Sequence, residues 1–257
     1  MRGISRIMVG SCTWGHLRTT SKPMPRNRKP ALLPQLLQTS LRAGFSRAYT
    51  QVRVDPVRYL AHIRRAYRLP IESWSDMLYV NEETLKPVAR SIVAGSAKIA
   101  ALEGTGLGFG GLLTIIPDMG ILSAITIRML QKLSLIYGFE YSTESEVAAL
   151  WIAAASAAGL DLGREFLEKQ AIERLVPRII DRIAAKVGAE VAEKWTGRLV
   201  PVLSAGVGGT LNYYFVRGWG RRAQRHFVER HREARMTEVT SGKRTIAVDP
   251  HVGLLKP

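Results

Sequence analysis

The sequence predicts an all-α protein: a multi-helix bundle with glycine-rich helix connections and a disordered basic N-terminus. Three observations predict it. Apolar residues recur at helical spacing, as in Leu122, Ile125, Met129, Leu133 and Ile136. No segment shows the sustained apolar/polar alternation of a half-buried strand. Helix start and stop signals recur along the chain, among them Pro56, Gly138 and the Thr143-Glu144-Ser145-Glu146 box.

The 257 residues suit one globular domain with tails. There is one cysteine, Cys12, so no internal disulfide and no cysteine-based metal site can form. The net charge is +16, and it is unevenly spread. Residues 1–50 carry nine Lys/Arg and no acid, whereas residues 73–216 carry 13 basic and 15 acidic side chains. Residues 217–257 carry ten basic and four acidic side chains. The excess therefore sits on the two ends, where it attracts an anionic lipid surface, a nucleic acid or an acidic partner.

Three segments follow from this: a basic, disordered tail (1–50), a helical domain (51–235) and an irregular C-terminal tail (236–257). The first is rich in Arg, Ser, Thr and Pro. It holds no apolar run long enough for a secretory signal or a spanning helix, and a cytoplasmic location is expected. An organelle transit peptide and a start downstream at Met24 stay open as alternatives for it. A short helix near Leu32–Ala48 is compatible with its pattern.

In chain order, Pro56 suits the first turn of a helix reaching Leu69, and Pro70 stops it. A second helix is expected over Glu82–Glu103. Gly104, Gly106, Gly108, Gly110 and Gly111 follow, so backbones can approach closely there. Pro117-Asp118 starts the next helix, and Gly138 takes its C-terminal cap. Thr143 and Glu146 open a helix whose run Val147–Leu160 carries no charge, the mark of a buried helix. An amphipathic helix over Arg164–Val187 contains Pro177, which is expected to kink or split it. Gly206, Gly208 and Gly209 repeat the earlier glycine cluster. The last helix is expected over Thr210–Ala234.

Candidate chemistry is sparse. Gly106-x-Gly108-x-x-Gly111 spells a dinucleotide fingerprint, but a helix rather than a strand precedes it. The five histidines show no metal-ligand spacing, so no metal and no cofactor are expected. Asp118 lies in an otherwise uncharged stretch; as an acid in a first helical turn it serves the orphan N–H groups and the helix dipole. The functional alternative is a polar cluster in the core, made of Asp118, Arg128, Glu144, Glu146 and Asn212. Ten residues turn about 280° on an α-helix, so Asp118 and Arg128 do not face each other directly. Helix packing is assigned to Gly104, Gly106, Gly111, Gly206 and Gly208.

Low-charge stretches at 104–127, 147–160 and 199–216 are too interrupted or too short for clear membrane spans, so a buried core is expected, with partial or full membrane insertion as the alternative. Arg217, Arg221 and Arg225 recur every four residues beside a stripe of Phe215, Trp219, Ala223 and Phe227. Such a helix either lies on an anionic surface or docks on its own domain. No zinc-finger, helix-turn-helix or RNA-binding signature accompanies the charge, which argues against nucleic acid.

Taken as an ordered set, Gly104-Thr105-Gly106, Gly110-Gly111, Pro117-Asp118, Arg128, Tyr137-Gly138, Glu144, Glu146, Pro201, Gly206, Gly208 and Asn212 resemble the EcsC protein family over about residues 75–233. The resemblance implies a mostly helical protein whose founding member is encoded beside an ABC transporter linked to secretion. It carries over no catalytic residue. The reading is therefore a non-enzymatic helical protein peripheral to a membrane and accessory to a membrane transport or secretion complex. The alternative is an enzyme using the polar cluster around Asp118 and Arg128.

Overall fold

The computed structural model describes residues 32–107, 115–162, 172–196 and 205–240. They form α1 (Leu32–Gln51), α2 (Pro56–Tyr67), a 3-10 turn (Ser75–Tyr79), α3 (Glu82–Leu107), α4 (Ile115–Ile136), α5 (Glu144–Ala157), α6 (Ile172–Thr196) and α7 (Ala205–Thr240). The architecture is all-α, with no strand among the described residues.

Local chemistry sets the helix ends. Asp55 caps α2, its Oδ1 accepting from the backbone N–H of Val57 at 3.0 Å and of Arg58 at 3.1 Å. Gly138 (φ 86°) and Gly159 (φ 76°) take the left-handed conformation after α4 and α5. Thr143 and Glu146 form the expected reciprocal capping box at the start of α5.

The most extensive pairing is antiparallel, between α3 and α7. Ala101 lies beside Gly209, Val93 beside Gly220 and Glu82 beside Arg232. Gly220 is required there. A Cβ at this position would lie 2.7 and 2.8 Å from the methyls of Val93 and 2.9 Å from Met129 Sδ. α4 packs on both partners, with Tyr137 stacked on Phe227 at 6.3 Å. Its buried hydroxyls are all satisfied: Ser123 donates to the Met119 carbonyl at 2.7 Å and Thr126 to that of Leu122 at 2.8 Å within the helix, and Ser134 donates to the Phe139 carbonyl just past its end at 2.7 Å. α5 packs between α6 and α7.

The N-terminal boundary differs from the expectation of a disordered tail over 1–50, and α1 lies where a short helix near Leu32–Ala48 was compatible with the pattern. α1 packs along α4 and α6, and Leu37, Leu41, Phe45 and Ala48 are buried at helical spacing. Phe45 sits against Trp151 (6.1 Å) and Trp219 (5.6 Å), joining α1, α5 and α7. The arginines that give this segment its polar composition, Arg42 and Arg47, lie on the exposed side. The helical domain therefore begins at least as early as Leu32, not at 51, and α7 carries it to Thr240, into the segment expected to be irregular. Pro177 does not split α6, which continues across it. The stretch 163–171, where that helix was expected to begin, lies outside the described residues.

Candidate functional site

The residues proposed for a core polar cluster are placed as follows. Arg128 is exposed on α4, because the neighbouring Met129 and Leu130 supply the buried face. Arg128 is thus not a core partner, which corrects the buried pairing considered for it. Glu144 is exposed in the first turn of α5. Glu146 is engaged at the cap, accepting from the backbone N–H of Thr143 at 2.8 Å and of Ser142 at 2.9 Å. These bonds, that to Thr143 foremost, hold its carboxyl below the usual range. Asn212 is buried on α7. The side chain of Asp118 lies outside the described residues, as do the surroundings of Gly106, Gly206 and Gly208 and all of Gly111. Gly104 is buried in α3. Close α3–α7 approach is shown instead at Gly209 and Gly220, where a Cβ would lie 2.6 Å from the Ala101 carbonyl and 2.7 Å from Val93 respectively.

A different polar cluster joins the ends of α3, α4 and α7. Arg232 donates to both oxygens of Glu82, at 2.6 and 2.8 Å, and Lys86 adds an ion pair at 2.9 Å. The Arg232 bonds chiefly bring the Glu82 carboxyl down to about 2. His231 is 1% exposed, with its Nδ1 3.1 Å from the Tyr137 carbonyl oxygen. Burial pushes the His231 imidazole below its ordinary range and the Tyr137 phenol up to about 12. A group this enclosed reaches no solute without local opening. The cluster ties helices together, and long-range sequence spacing gave no signal for it.

The terminal-helix stripe divides into two parts. Trp219, Ala223 and Phe227 are buried and Phe215 packs against the same core, so the apolar stripe docks on its own domain. Arg221 and Arg225 are exposed, while Arg217 donates to the Tyr213 hydroxyl at 2.6 Å.

A second basic surface lies on α2. Ala61, Arg64, Arg65, Arg68 and Leu69 line an open hollow of about 480 Å³. None of the three arginines is paired with an acid among the described residues. The Arg64-Arg65-x-x-Arg68 spacing was visible in the sequence as charge, but the hollow was not. No group of His, Cys, Asp and Glu among the described residues could hold a metal ion.

Protein EcsC of Bacillus subtilis (strain 168) is 30% identical to this chain over 151 residues, covering 54% of the chain and 61% of that protein. The chain thus spans less than two-thirds of that relative's length. No solved structure matches. The sequence pattern of the EcsC protein family matches residues 25–231, taking in α1, which the motifs had not reached. With a match from ahead of α1 to His231 within α7, the chain belongs to the EcsC protein family.

Proposed function

We propose that this EcsC-family protein is a non-enzymatic helical protein that docks on an anionic membrane surface through exposed arginines, as an accessory to a membrane transport or secretion complex. The observation that carries the reading is the division of α7: its aromatic stripe is buried in the domain, while Arg221 and Arg225 remain exposed. Docking is then electrostatic rather than insertive. α4 supports this. Met119–Ile136 is long and apolar enough to cross a membrane, yet 67% of that window is buried within the domain. The excess behind the +16 balance, concentrated on the two ends of the chain, adds to that attraction.

The test is flotation of the full chain with neutral and anionic vesicles at low and high salt. Binding to anionic vesicles alone, released by salt, is the expected result. Salt-resistant binding to both vesicle types, or no binding to either, overturns the reading.

A further inference from the structure

We propose that His231 is an acid-operated latch: a proton on its imidazole releases the C-terminal end of α7, from His231 to Thr240, from α3 and α4.

The geometry of the neutral ring comes first. His231 is the one fully buried histidine among the described residues; His62 is exposed and His226 half-buried. Its Nδ1 lies 3.1 Å from the Tyr137 carbonyl oxygen, which can only accept, so Nδ1 carries the proton of the neutral ring. Nε2 is then a bare acceptor, buried, and no donor reaches it among the described residues. The Tyr137 carbonyl belongs to the last turn of α4, where intrahelical donors run out. The turn beside it closes through Gly138 N–H to the Leu135 carbonyl and Phe139 N–H to the Ser134 carbonyl, each at 2.9 Å. Neutral His231 thus caps α4 from α7, across 94 positions.

A second proton has to go on Nε2, and it puts a full charge where the residue is 1% exposed. Each element packed around the ring bears on that charge. On α7, Arg235 opposes it. On α3, Glu82 favours it, but that carboxylate is already held by Arg232 and Lys86. On α4, the Tyr137 carbonyl favours it, and the phenol of Tyr137 stays neutral. The Val80 carbonyl, ahead of α3, also favours it. Burial outweighs these attractions and keeps the enclosed ring neutral.

The end of α7 is built to respond. None of residues 232–238 is buried, so little apolar contact fixes this stretch. Three polar ties do: His231 to Tyr137, Arg232 to Glu82, and Glu238 accepting from the Tyr79 hydroxyl at 3.0 Å. His231 alone of the three is fully enclosed. Local opening exposes its ring to water, where it takes a proton at about 6.5. Above that pH both forms are neutral and acid has no leverage. Below it the open form holds a proton that the docked form lacks, so opening grows as pH falls. The limit for one such proton is about tenfold between about pH 7.5 and about pH 5.5. The Glu82 carboxyl, at about 2 when docked and 4.5 ordinarily, stays ionised across this range, so the Arg232 tie is not what titrates.

The experiment uses the full chain and does not involve a membrane. Hydrogen exchange is followed by mass spectrometry at those two pH values, with rates corrected for the intrinsic pH dependence of amide exchange. Peptides within 228–240 should open several-fold more at the lower pH, toward the tenfold limit, and peptides of α5 should not. His231→Gln keeps an N–H for the Tyr137 carbonyl but takes no proton, and should abolish the difference. His226→Gln should keep it. The parent chain gives a second readout that needs no variant: followed by NMR, the His231 imidazole should titrate below 6.5. No added exchange in 228–240 at the lower pH, an increase retained by His231→Gln or shared equally by α5, or a His231 ring titrating at 6.5 or above overturns the proposal.

Discussion

Glu82 and Arg232 lie 150 positions apart and meet through two hydrogen bonds, at 2.6 and 2.8 Å, where α3 begins and α7 nears its end. The Glu82 side chain is only 14% exposed and that of Arg232 60%, so the pair is partly screened. Its contribution therefore falls between a surface and a buried ion pair.

Glu82→Gln should cost about 1–2 kcal/mol at neutral pH. The sign of the pH dependence follows from the depressed carboxyl. Its pKa of about 2 in the folded protein lies below the ordinary 4.5, so its stabilisation is complete above 4.5 and is lost as pH falls toward 2. Urea midpoints measured across that window should drop less steeply in Glu82→Gln than in the parent. Parallel curves would remove Glu82 from the acid response.

Gly220 and Gly95 predict opposite effects of the same substitution. Gly220→Ala places a methyl 2.7 Å from a stiff Val93 side chain and should destabilise by about 1–3 kcal/mol. Gly95 is exposed within α3 with nothing within 4 Å of an added Cβ, so Gly95→Ala should stabilise by about 0.5–1 kcal/mol. Denaturant unfolding checks both. Adding Val93→Ala to Gly220→Ala should cost less than the sum of the two changes.

Gln131 holds the connector between α1 and α2. Its amide donates to the Val52 carbonyl at 2.8 Å and accepts from the Val54 N–H at 3.0 Å, while the side chain is 5% exposed. Gln131→Leu leaves two half-buried backbone groups without their side-chain partner and should cost about 1–2 kcal/mol. Hydrogen exchange at the Val54 amide should accelerate beyond any global change. Unchanged relative protection would show that another group holds the connector.

Removing α1 tests the domain boundary. A chain beginning at residue 51 lacks Leu37, Leu41, Phe45 and Ala48, all buried. The loss of Phe45 alone should cost about 3–5 kcal/mol. Such a chain should fail to unfold cooperatively, whereas one beginning at residue 25 should keep the parental Tm. A cooperative transition in the shorter chain would place α1 outside the essential core.

Short-range signals were legible. Pro56, Gly138 and the Thr143–Glu146 box each depend on neighbours within a few residues, and each marks the helix end expected of it. α1 was harder to read because its exposed positions set the composition while four spaced apolar residues set its packing. Arg128 shows the same limit from the other side. Its apolar neighbourhood in sequence suggests burial, yet the helix turns it outward. The Glu82–Arg232 and His231–Tyr137 contacts depend on which helices become neighbours, information that no local pattern contains.

The antiparallel pairing of α3 with α7 also orders events on the ribosome. α3 exposes Val93, Ala97 and Ala100 as soon as it is made, but much of what covers them lies more than a hundred residues downstream. Contacts between such distant segments close late and carry a large loop entropy. The growing chain therefore holds an uncovered apolar face until α7 emerges, and a nascent chain halted before Gly209 should be a ready client for a chaperone.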